Sequence, residues 1–409
     1  MAVGQLTFPK KILAEVDVER KVVLLRTDYN VPIKAGKVTG DHRIYASLPT
    51  LRKLIERKAK VVVISHLGRP HGAIDPALSL KPVAKVLADY LGQPVSFVSD
   101  CVGDKVRLAV KKMSVGEVLL LENLRFHAGE EADDADFARQ LVKSSGARVF
   151  VQDAYGTVHR KHASTAAITD FLPSVAGPLV VEEWLKIQNV VQNPNRPLVS
   201  VLGGAKIADK LPLLEKLIKL SDKVILGGAV ANNFLMAEGF SVGASLWDTE
   251  VDELVNKIIV QVRAKFGSVW KQKFILPVDV AISKNGNPDG ARHVVTRGDV
   301  KPNNAIFDIG TKSINRATEA VKSAGTVIWN GTLGLSDKLN YAYGSSRLAL
   351  TLADNPQIYS LICGGDTVDM VRKWDVLNGG SFSYLSTGGG AALTQIAGQK
   401  LPGIESLLS

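Results

Sequence analysis

The chain has 409 residues, 46% hydrophobic and 22% charged, with 50 Lys and Arg against 40 Asp and Glu for a net charge of +10. At ~150 residues per domain this length means two or three domains, and the balance excludes wholesale disorder, collagen-like repeats and a disulfide scaffold. The only cysteines, Cys101 and Cys363, form no CxxC pair, so neither structural zinc nor a disulfide framework is indicated and a reducing cytoplasm fits. The positive balance favours anionic partners without choosing among metabolite, nucleotide and nucleic acid. No apolar run approaches the ~20 residues of a membrane helix. Neither Met1 to Lys10 nor Leu407-Leu408-Ser409 reads as a targeting signal, so the expected location is cytoplasmic, with no membrane partner.

Along the chain, β-branched runs end in polar or glycine clusters and are mostly followed by helical spacing, the rhythm of a parallel sheet. In the first half the runs are Val22 to Leu25, Val61 to Ser65, Val95 to Val98, Val118 to Leu121 and Val149 to Gln152. A helical stripe of Val180, Val181, Trp184, Leu185, Ile187 and Val191 then stops at Asn193-Pro194-Asn195-Arg196-Pro197. The second half has Leu198 to Leu202, Lys223 to Leu226, Phe274 to Val278, Ala305 to Ile309, Thr326 to Trp329, Tyr359 to Cys363 and Phe382 to Leu385. The pattern predicts two similar-sized open parallel-sheet α/β domains, Rossmann-like and three-layered, joined by a hinge helix. The expected bounds are 1–177 for the first domain, a connector at 178–197, and a second domain from 198.

Ligands of open α/β sheets collect beyond the carboxyl ends of strands, so the residues there carry the functional reading. In the first half these ends hold Arg26, Asp28 and Asn30, then His66 and Arg69, Arg125, and finally His159 and Arg160. Guanidinium groups gathered on one edge hold a small, multiply anionic ligand through paired hydrogen bonds; singly, each is also a plausible solvated arginine. In the second half the ends are Gly203-Gly204-Ala205-Lys206, Gly227-Gly228, Asn330-Gly331, Gly364-Gly365-Asp366-Thr367 and Gly388-Gly389-Gly390. Glycines between strand and helix bring backbone N–H groups to phosphate, although each Gly-Gly alone reads equally as a tight turn. Lys206 and Lys210 lie four apart at a helix start, as a phosphate clamp or as exposed helix lysines. Asp366 is placed to cap a helix or to hold the magnesium of a nucleotide.

Several motifs are missing: GxxxxGK[ST], HRD, HExxH and GxGxxG. Gly239-Phe240-Ser241-Val242-Gly243 matches a hydrolase elbow, but Val230 to Glu238 ahead of it reads as a helix ended by Gly239, where the elbow needs a strand.

With these residues in view the chain resembles the phosphoglycerate kinase family over nearly its whole length. The first half carries RTDYNVP (26–32), DHRIYASLPTL (41–51), SHLGRP (65–70), LLENLRF (120–126) and DAYGTVHRKHAS (153–164). The second carries GGAKIADK (203–210), GGAVANNF (227–234), LPVD (276–279), VIWNG (327–331), GGDT (364–367) and STGGGAAL (386–393). The resemblance implies phosphoryl transfer between 1,3-bisphosphoglycerate and ADP, giving 3-phosphoglycerate and ATP, with Mg2+ carried on the nucleotide. It implies that Asp28 and Asn30 orient the glycerate, that Arg26, His66, Arg69, Arg125, His159 and Arg160 hold the phosphoglycerate, and that Arg43 acts at the transferring group. On the other side Lys206 stabilises that group and Lys210 contacts nucleotide phosphate. Gly204, Gly227, Gly228, Asn330, Gly364, Gly365 and Thr367 adjoin the nucleotide, and Asp366 binds the metal. A monomer is implied, together with closure about the 178–197 connector and return of the chain end, about 397–409, to the first domain, so that the second spans 198–396.

The chain departs from the family where NGPVGVFE is usual and Asn330-Gly331-Thr332-Leu333-Gly334-Leu335-Ser336-Asp337 stands instead. Asp337 thus takes the place of the glutamate expected on the ribose hydroxyls. Three other readings compete: a non-catalytic binding protein of the same fold, a nucleic-acid binder suggested by the charge, and a dinucleotide oxidoreductase. Retention of Arg43, Lys206, Lys210 and Asp366 disfavours the first, 6% aromatic content and no RRM, KH or zinc-finger signature the second, and the missing fingerprint the third.

Overall fold

In a computed structural model, residues 6–205 and 207–409 are described, Asp209 by its backbone alone. The chain divides into two compact units: the first runs to Leu185 and takes in Lys400–Ser409, and the second is Lys186–Gln399. The first unit begins with β1 (Val22–Arg26), a short antiparallel pair β2 (Ile33–Lys34) and β3 (Lys37–Val38), and α1 (His42–Glu56). It continues through β4 (Lys60–Ile64), α2 (Lys81–Leu91), β5 (Val95–Val98), α3 (Asp104–Lys112), β6 (Val118–Leu121), α4 (Ala135–Ser145), β7 (Val149–Gln152) and β8 (Ser174–Ala176). Six of these strands form one parallel sheet in the order β5-β6-β4-β1-β7-β8.

Side chains alternate across a strand, and here both faces are covered. Val23, Leu25, Val61, Val63, Val118 and Leu120 join one core with Ile44, Leu48 and Leu51 of α1 and Val83 and Leu87 of α2. Leu24, Val62, Ile64, Leu119, Leu121 and Phe150 face the other way, against Val106 and Val110 of α3 and Phe137, Ala138 and Leu141 of α4. Such double burial explains why the strands read as unbroken apolar runs. Local chemistry sets the helix ends: Asp134 Oδ1 accepts from the N–H groups of Asp136 and Phe137 at 2.7 and 2.9 Å to start α4, and Gly146 ends it in the left-handed region.

Helix α5 (Pro178–Gln192) carries the chain from the first unit into the second, which opens with β9 (Leu198–Leu202), α6 (Leu211–Leu220), β10 (Lys223–Leu226), α7 (Gly228–Ala237), α8 (Asp252–Phe266) and α9 (Trp270–Lys273). Then come β11 (Phe274–Ile275), β12 (Asp279–Lys284), β13 (His293–Thr296), β14 (Asn304–Ile309), α10 (Thr311–Lys322), β15 (Thr326–Asn330), α11 (Tyr343–Ala353), β16 (Tyr359–Cys363), α12 (Gly365–Trp374), β17 (Tyr384–Leu385) and α13 (Gly390–Ile396). A second parallel sheet has the order β11-β10-β9-β15-β16-β17, and Val199, Val201, Ile225, Val327, Trp329 and Ile362 pack on α10, α11 and α12. Two parallel-sheet α/β units are thus present, as the sequence predicts.

Not every run joins those sheets. The expected strand Phe274 to Val278 stops at Ile275 because Pro277 has no N–H for the ladder, and the chain resumes as β12. The run Ala305 to Ile309 lies within β14, which pairs antiparallel with β12 in a separate sheet of order β13-β12-β14. Gly239–Gly243 follows α7 rather than a strand, with Gly239 at φ +85°, so no nucleophile elbow is formed.

The last ten residues belong to the first unit. Leu401, Ile404 and Leu407 are buried, Gly403 N–H donates to Val158 O at 2.9 Å, and Lys11 and Leu408 are joined at 2.8 Å, around α14 (Pro402–Glu405). Each buried Leu or Ile is worth about 1.5–3 kcal/mol. Removal of residues 400–409 is therefore expected to destabilise the first unit by at least about 4 kcal/mol, measured as a lower denaturant midpoint with hydrogen-exchange protection lost first around Val158 and Ser174.

Candidate functional site

Four adjacent strands, β6, β4, β1 and β7, bring their carboxyl ends to one edge of the first sheet. Side-chain amides fasten the loops there to one another. Asn123 Oδ1 accepts from Leu67 N–H at 3.1 Å and Arg125 N–H at 3.0 Å, and its Nδ2 donates to Leu67 O at 2.7 Å. Asn30 Oδ1 accepts from Gly68 N–H at 3.0 Å, which ties the loop after β1 to the loop after β4. Arg43, from the first turn of α1, donates to Asp28 Oδ1 at 3.3 Å and to Asn30 O at 3.0 Å. Arg125 donates to Gly68 O at 2.7 Å and pairs with Glu131 at 3.1 Å. Arg160 shares a hydrogen bond with His159 at 3.2 Å, whereas Arg69 is exposed and makes no hydrogen bond or ion pair among the described residues.

Arg26 is only 1% exposed and turned inward. Its Nε donates to Ser164 Oγ at 2.8 Å, Nη1 to Thr27 O, Nη2 meets His66 Nδ1 at 3.3 Å, and the ion pair to Glu130 is 3.7 Å long. Glu130, fully buried, also accepts from Ser164 Oγ at 2.6 Å and Ser164 N–H at 3.0 Å. Burial pushes the carboxyl of Glu130 up and the guanidinium of Arg26 down, and the field of each opposes the other's neutralisation. Glu130 and Ser164 were not foreseen, since no residue spacing marks a carboxylate whose role is to neutralise an arginine from 104 positions away in sequence. The nearest signal is the pair Glu130-Glu131 just beyond LLENLRF.

Burial and then the surrounding guanidinium groups hold three imidazoles neutral. The His66 pKa lies well below its ordinary value through burial and the fields of Arg26, Arg125, Arg43 and Arg160. His159 and His162 are each lowered to about 4, chiefly by burial and then by Arg160 and Arg125 respectively. Arg43 Nε, Arg125 Nε, His159 Nδ1 and His162 Nδ1 are buried without hydrogen-bond partners. Buried polar nitrogens left unmet in one cluster mark a place for a ligand, and beside five arginines that ligand is an anion.

The second unit has a cleft of about 620 Å³ whose wall includes Gly204, Gly228, Asp308, Leu333, Asp337, Asp366, Asp369 and Lys373. The glycine loops are held edge to edge by backbone: Gly203 N–H donates to Asn330 O at 2.9 Å, Gly204 N–H to Thr332 O at 2.8 Å and Gly228 N–H to Leu333 O at 2.9 Å. Gly331 sits at φ +84°, and a Cβ there would stand 2.1 Å from Gly203 O, so only glycine permits this approach. Of the predicted nucleotide residues, Gly204, Gly228, Asp337 and Asp366 line the cleft. Others support it from behind: Thr367 Oγ1 accepts from Gly331 N–H at 2.8 Å, Asn330 Nδ2 donates to Cys363 O at 2.9 Å, and Gly227 packs against Leu333. Gly364, at φ +96°, lets α12 begin beside Asn330, and Gly365 has open space where a side chain would be. Lys210 Nζ donates to Gly203 O. Lys206 lies outside the described residues.

Asp308 was not foreseen as part of this cleft. Its carboxylate accepts from Ile309 N–H at 2.8 Å and Gly344 N–H at 2.9 Å, and burial raises it to about 7. Asp366, by contrast, is exposed and has no hydrogen bond or ion pair among the described residues.

The neutral histidines generate a signed pH expectation. Their folded pKa of about 4 lies below the ordinary 6.5, so the stability they confer is full above pH 6.5 and is lost as pH falls through 4. Replacement of both by glutamine, His159→Gln with His162→Gln, is expected to make unfolding less acid-sensitive in that window. Denaturation series at pH 7, 5.5 and 4 check it, the stability difference between wild type and variant shrinking or reversing toward pH 4.

The family model described as phosphoglycerate kinase matches residues 13–399. The phosphoglycerate kinase of Pelotomaculum thermopropionicum is 42% identical over 399 residues, covering 98% of this chain and 99% of its own, and that of Akkermansia muciniphila is 40% identical over 404 residues, covering 97% and 98%. Among solved structures, phosphoglycerate kinase from Coxiella burnetii superposes with a TM-score of 0.80 at 35% identity, covering 97% of this chain and 98% of its own. The Pyrococcus horikoshii enzyme gives 0.80 at 30%, covering 98% of each chain. A family match over nearly all of the sequence, with the same two-sheet fold, shows that this chain belongs to the phosphoglycerate kinase family, a family of kinases.

Proposed function

We propose that the protein catalyses reversible transfer of a phosphoryl group between 1,3-bisphosphoglycerate and ADP, giving 3-phosphoglycerate and ATP, as a cytoplasmic monomer. The observation that carries this reading is the cluster of unmet buried nitrogens among Arg43, Arg125, His159 and His162 on one unit, set against a glycine-bordered cleft on the other. Phosphoglycerate, small and multiply anionic, fits the first, where Arg69, Arg125 and Arg160 supply charge and Asp28 and Asn30 orient the glycerate through the Arg43 and Gly68 contacts described above. ADP fits the second, with Gly204 and Gly228 near its phosphates, Lys206 and Lys210 as countercharge, and Asp337 at the sugar.

In the ATP-consuming direction the attacking atom belongs to an ionised carboxylate, so no side chain need remove a proton. That agrees with three imidazoles held neutral and inward in a site without a paired acid and base. Arg43 and Lys206 stabilise charge on the transferring group, and transfer is in line. Because the two ligands bind different units, the reaction requires closure, for which α5 is the hinge. Asp366 suits Mg2+: its carboxylate is a hard oxygen donor, unpaired and on the cleft wall, and the ion, when bound, would neutralise phosphate charge.

The deciding assay is magnesium- and ATP-dependent phosphorylation of 3-phosphoglycerate, with removal of the acyl phosphate, for wild type and Arg43→Ala. Turnover by the wild type with a loss of at least about a hundred-fold in kcat for the variant is expected. A folded wild type silent with both ATP and GTP would overturn the proposal in favour of a binding protein. For the cleft, Asp337→Ala is expected to weaken ADP binding about ten-fold, equivalent to ~1.4 kcal/mol, in calorimetry on the otherwise unchanged chain.

A further inference from the structure

On the first unit, away from the guanidinium contacts, the loop after β5 and the segment after Phe126 bring Asp100, Cys101 and His127 together. One ligand atom from each, a carboxylate oxygen, the thiol sulfur and a ring nitrogen, all lie within 4.8 Å of one another. We propose that these three side chains form a site for a borderline-soft divalent cation of the Zn2+ and Co2+ class.

Three features support it besides proximity. Cys101 is 1% exposed, and its sulfur makes no hydrogen bond among the described residues, leaving a buried donor atom uncommitted. Asp100 is held in place through one oxygen alone: Oδ1 accepts from the N–H groups of Cys101 and Val102 at 2.7 and 3.4 Å and meets His127 Nε2 at 3.0 Å, so Oδ2 is open. The His127 ring stacks on Phe137 with centroids 5.1 Å apart and planes at 24°, which fixes the imidazole beside the carboxylate.

The donor set decides the class of ion. Thiolate, imidazole and one carboxylate oxygen are the mixed ligands of Zn2+ and Co2+, with water completing four positions, whereas Mg2+ and Ca2+ take oxygen alone. Ligands at about 2.0–2.3 Å from a tetrahedral ion stand nearer one another than 4.8 Å, so the two half-exposed side chains, Asp100 and His127, rotate inward onto the buried sulfur. The thiol proton is exchanged for the cation and leaves to solvent, while neutral His127 binds through Nε2 with its ring proton on Nδ1. Nearby Glu122 is already committed, accepting from Leu80 N–H and Asn123 N–H at 2.8 Å each and from Ser79 Oγ at 2.7 Å, and does not compete for the ion. The Arg125 guanidinium, two residues before His127, turns instead to Gly68 O and Glu131.

The test uses the untagged full chain, stripped with chelator and reduced, titrated with Co2+ in the absence of nucleotide. One equivalent is expected to bind with near-ultraviolet thiolate-to-cobalt charge-transfer absorption and visible bands of four-coordinate cobalt, and Zn2+ is expected to displace it. Cys101→Ser should abolish the charge-transfer band, His127→Gln should weaken binding at least about ten-fold, and Cys363→Ser should leave both unchanged. Circular dichroism establishes that each variant is folded. Binding without a thiolate band, a band that survives Cys101→Ser, or no change on His127→Gln in folded protein would each overturn the site.

Discussion

A guanidinium with almost no exposure, at the end of the central strand β1, is the constraint on which the arginine-rich edge of the first sheet depends. Taking Arg26 out of water costs several kcal/mol unless its donors are met, and each of them is met by a different stretch of chain: Ser164 after β7, Thr27 after β1, His66 after β4, with Glu130 after β6 supplying the charge. One buried cation therefore ties four strand ends into a single arrangement. Arg43 and Arg125 are positioned on top of this arrangement through Asp28, Asn30 and Gly68, and it is they that retain unmet nitrogens. Arg26, placed by sequence resemblance among the ligand-holding arginines, is in this geometry the residue that orders the others.

The two units solve a common problem with opposite materials. Each presents strand ends on one edge of a doubly covered parallel sheet, the placement that makes the C-terminal edge of such sheets a ligand surface. In the first unit charged side chains project there and need a rigid backing of amide and carboxylate bonds. In the second the backbone itself approaches: Gly203, Gly204, Gly228 and Gly331 bring loops within hydrogen-bond reach of each other, and polar side chains such as Thr367 and Asn330 serve behind them. Substitution at Gly331 would separate the loops before any ligand arrived.

How legible this was in the sequence depends on the range of the interaction involved. Strands buried on both faces are mostly apolar, so β1, β4, β6, β9 and β16 could be read directly, as could the helix ahead of Gly239. The antiparallel sheet of β12, β13 and β14 was not: β13 alternates between half-buried and exposed positions at a sheet edge, and β14 looks locally like any parallel strand. Arginine and glycine clusters were visible because each sits just after a run. Glu130, Ser164 and Asp308 were invisible because their environments are made by distant segments, and a buried carboxylate has no local pattern to distinguish it from a solvated one.

Charge placement follows from the same division. The first unit's edge is positive through its guanidinium groups, while the imidazoles among them are kept neutral by burial and by those very charges. Glu130 Oε1 lies 3.9 Å from His162 Nδ1, but it is shared with Arg26 and Ser164, so burial and the arginines outweigh it. The charge of the edge thus rests on its guanidinium groups and not on its imidazoles. In the other unit no arginine among the described residues lines the cleft, whose charged wall is instead made of Asp308, Asp337, Asp366, Asp369 and Lys373.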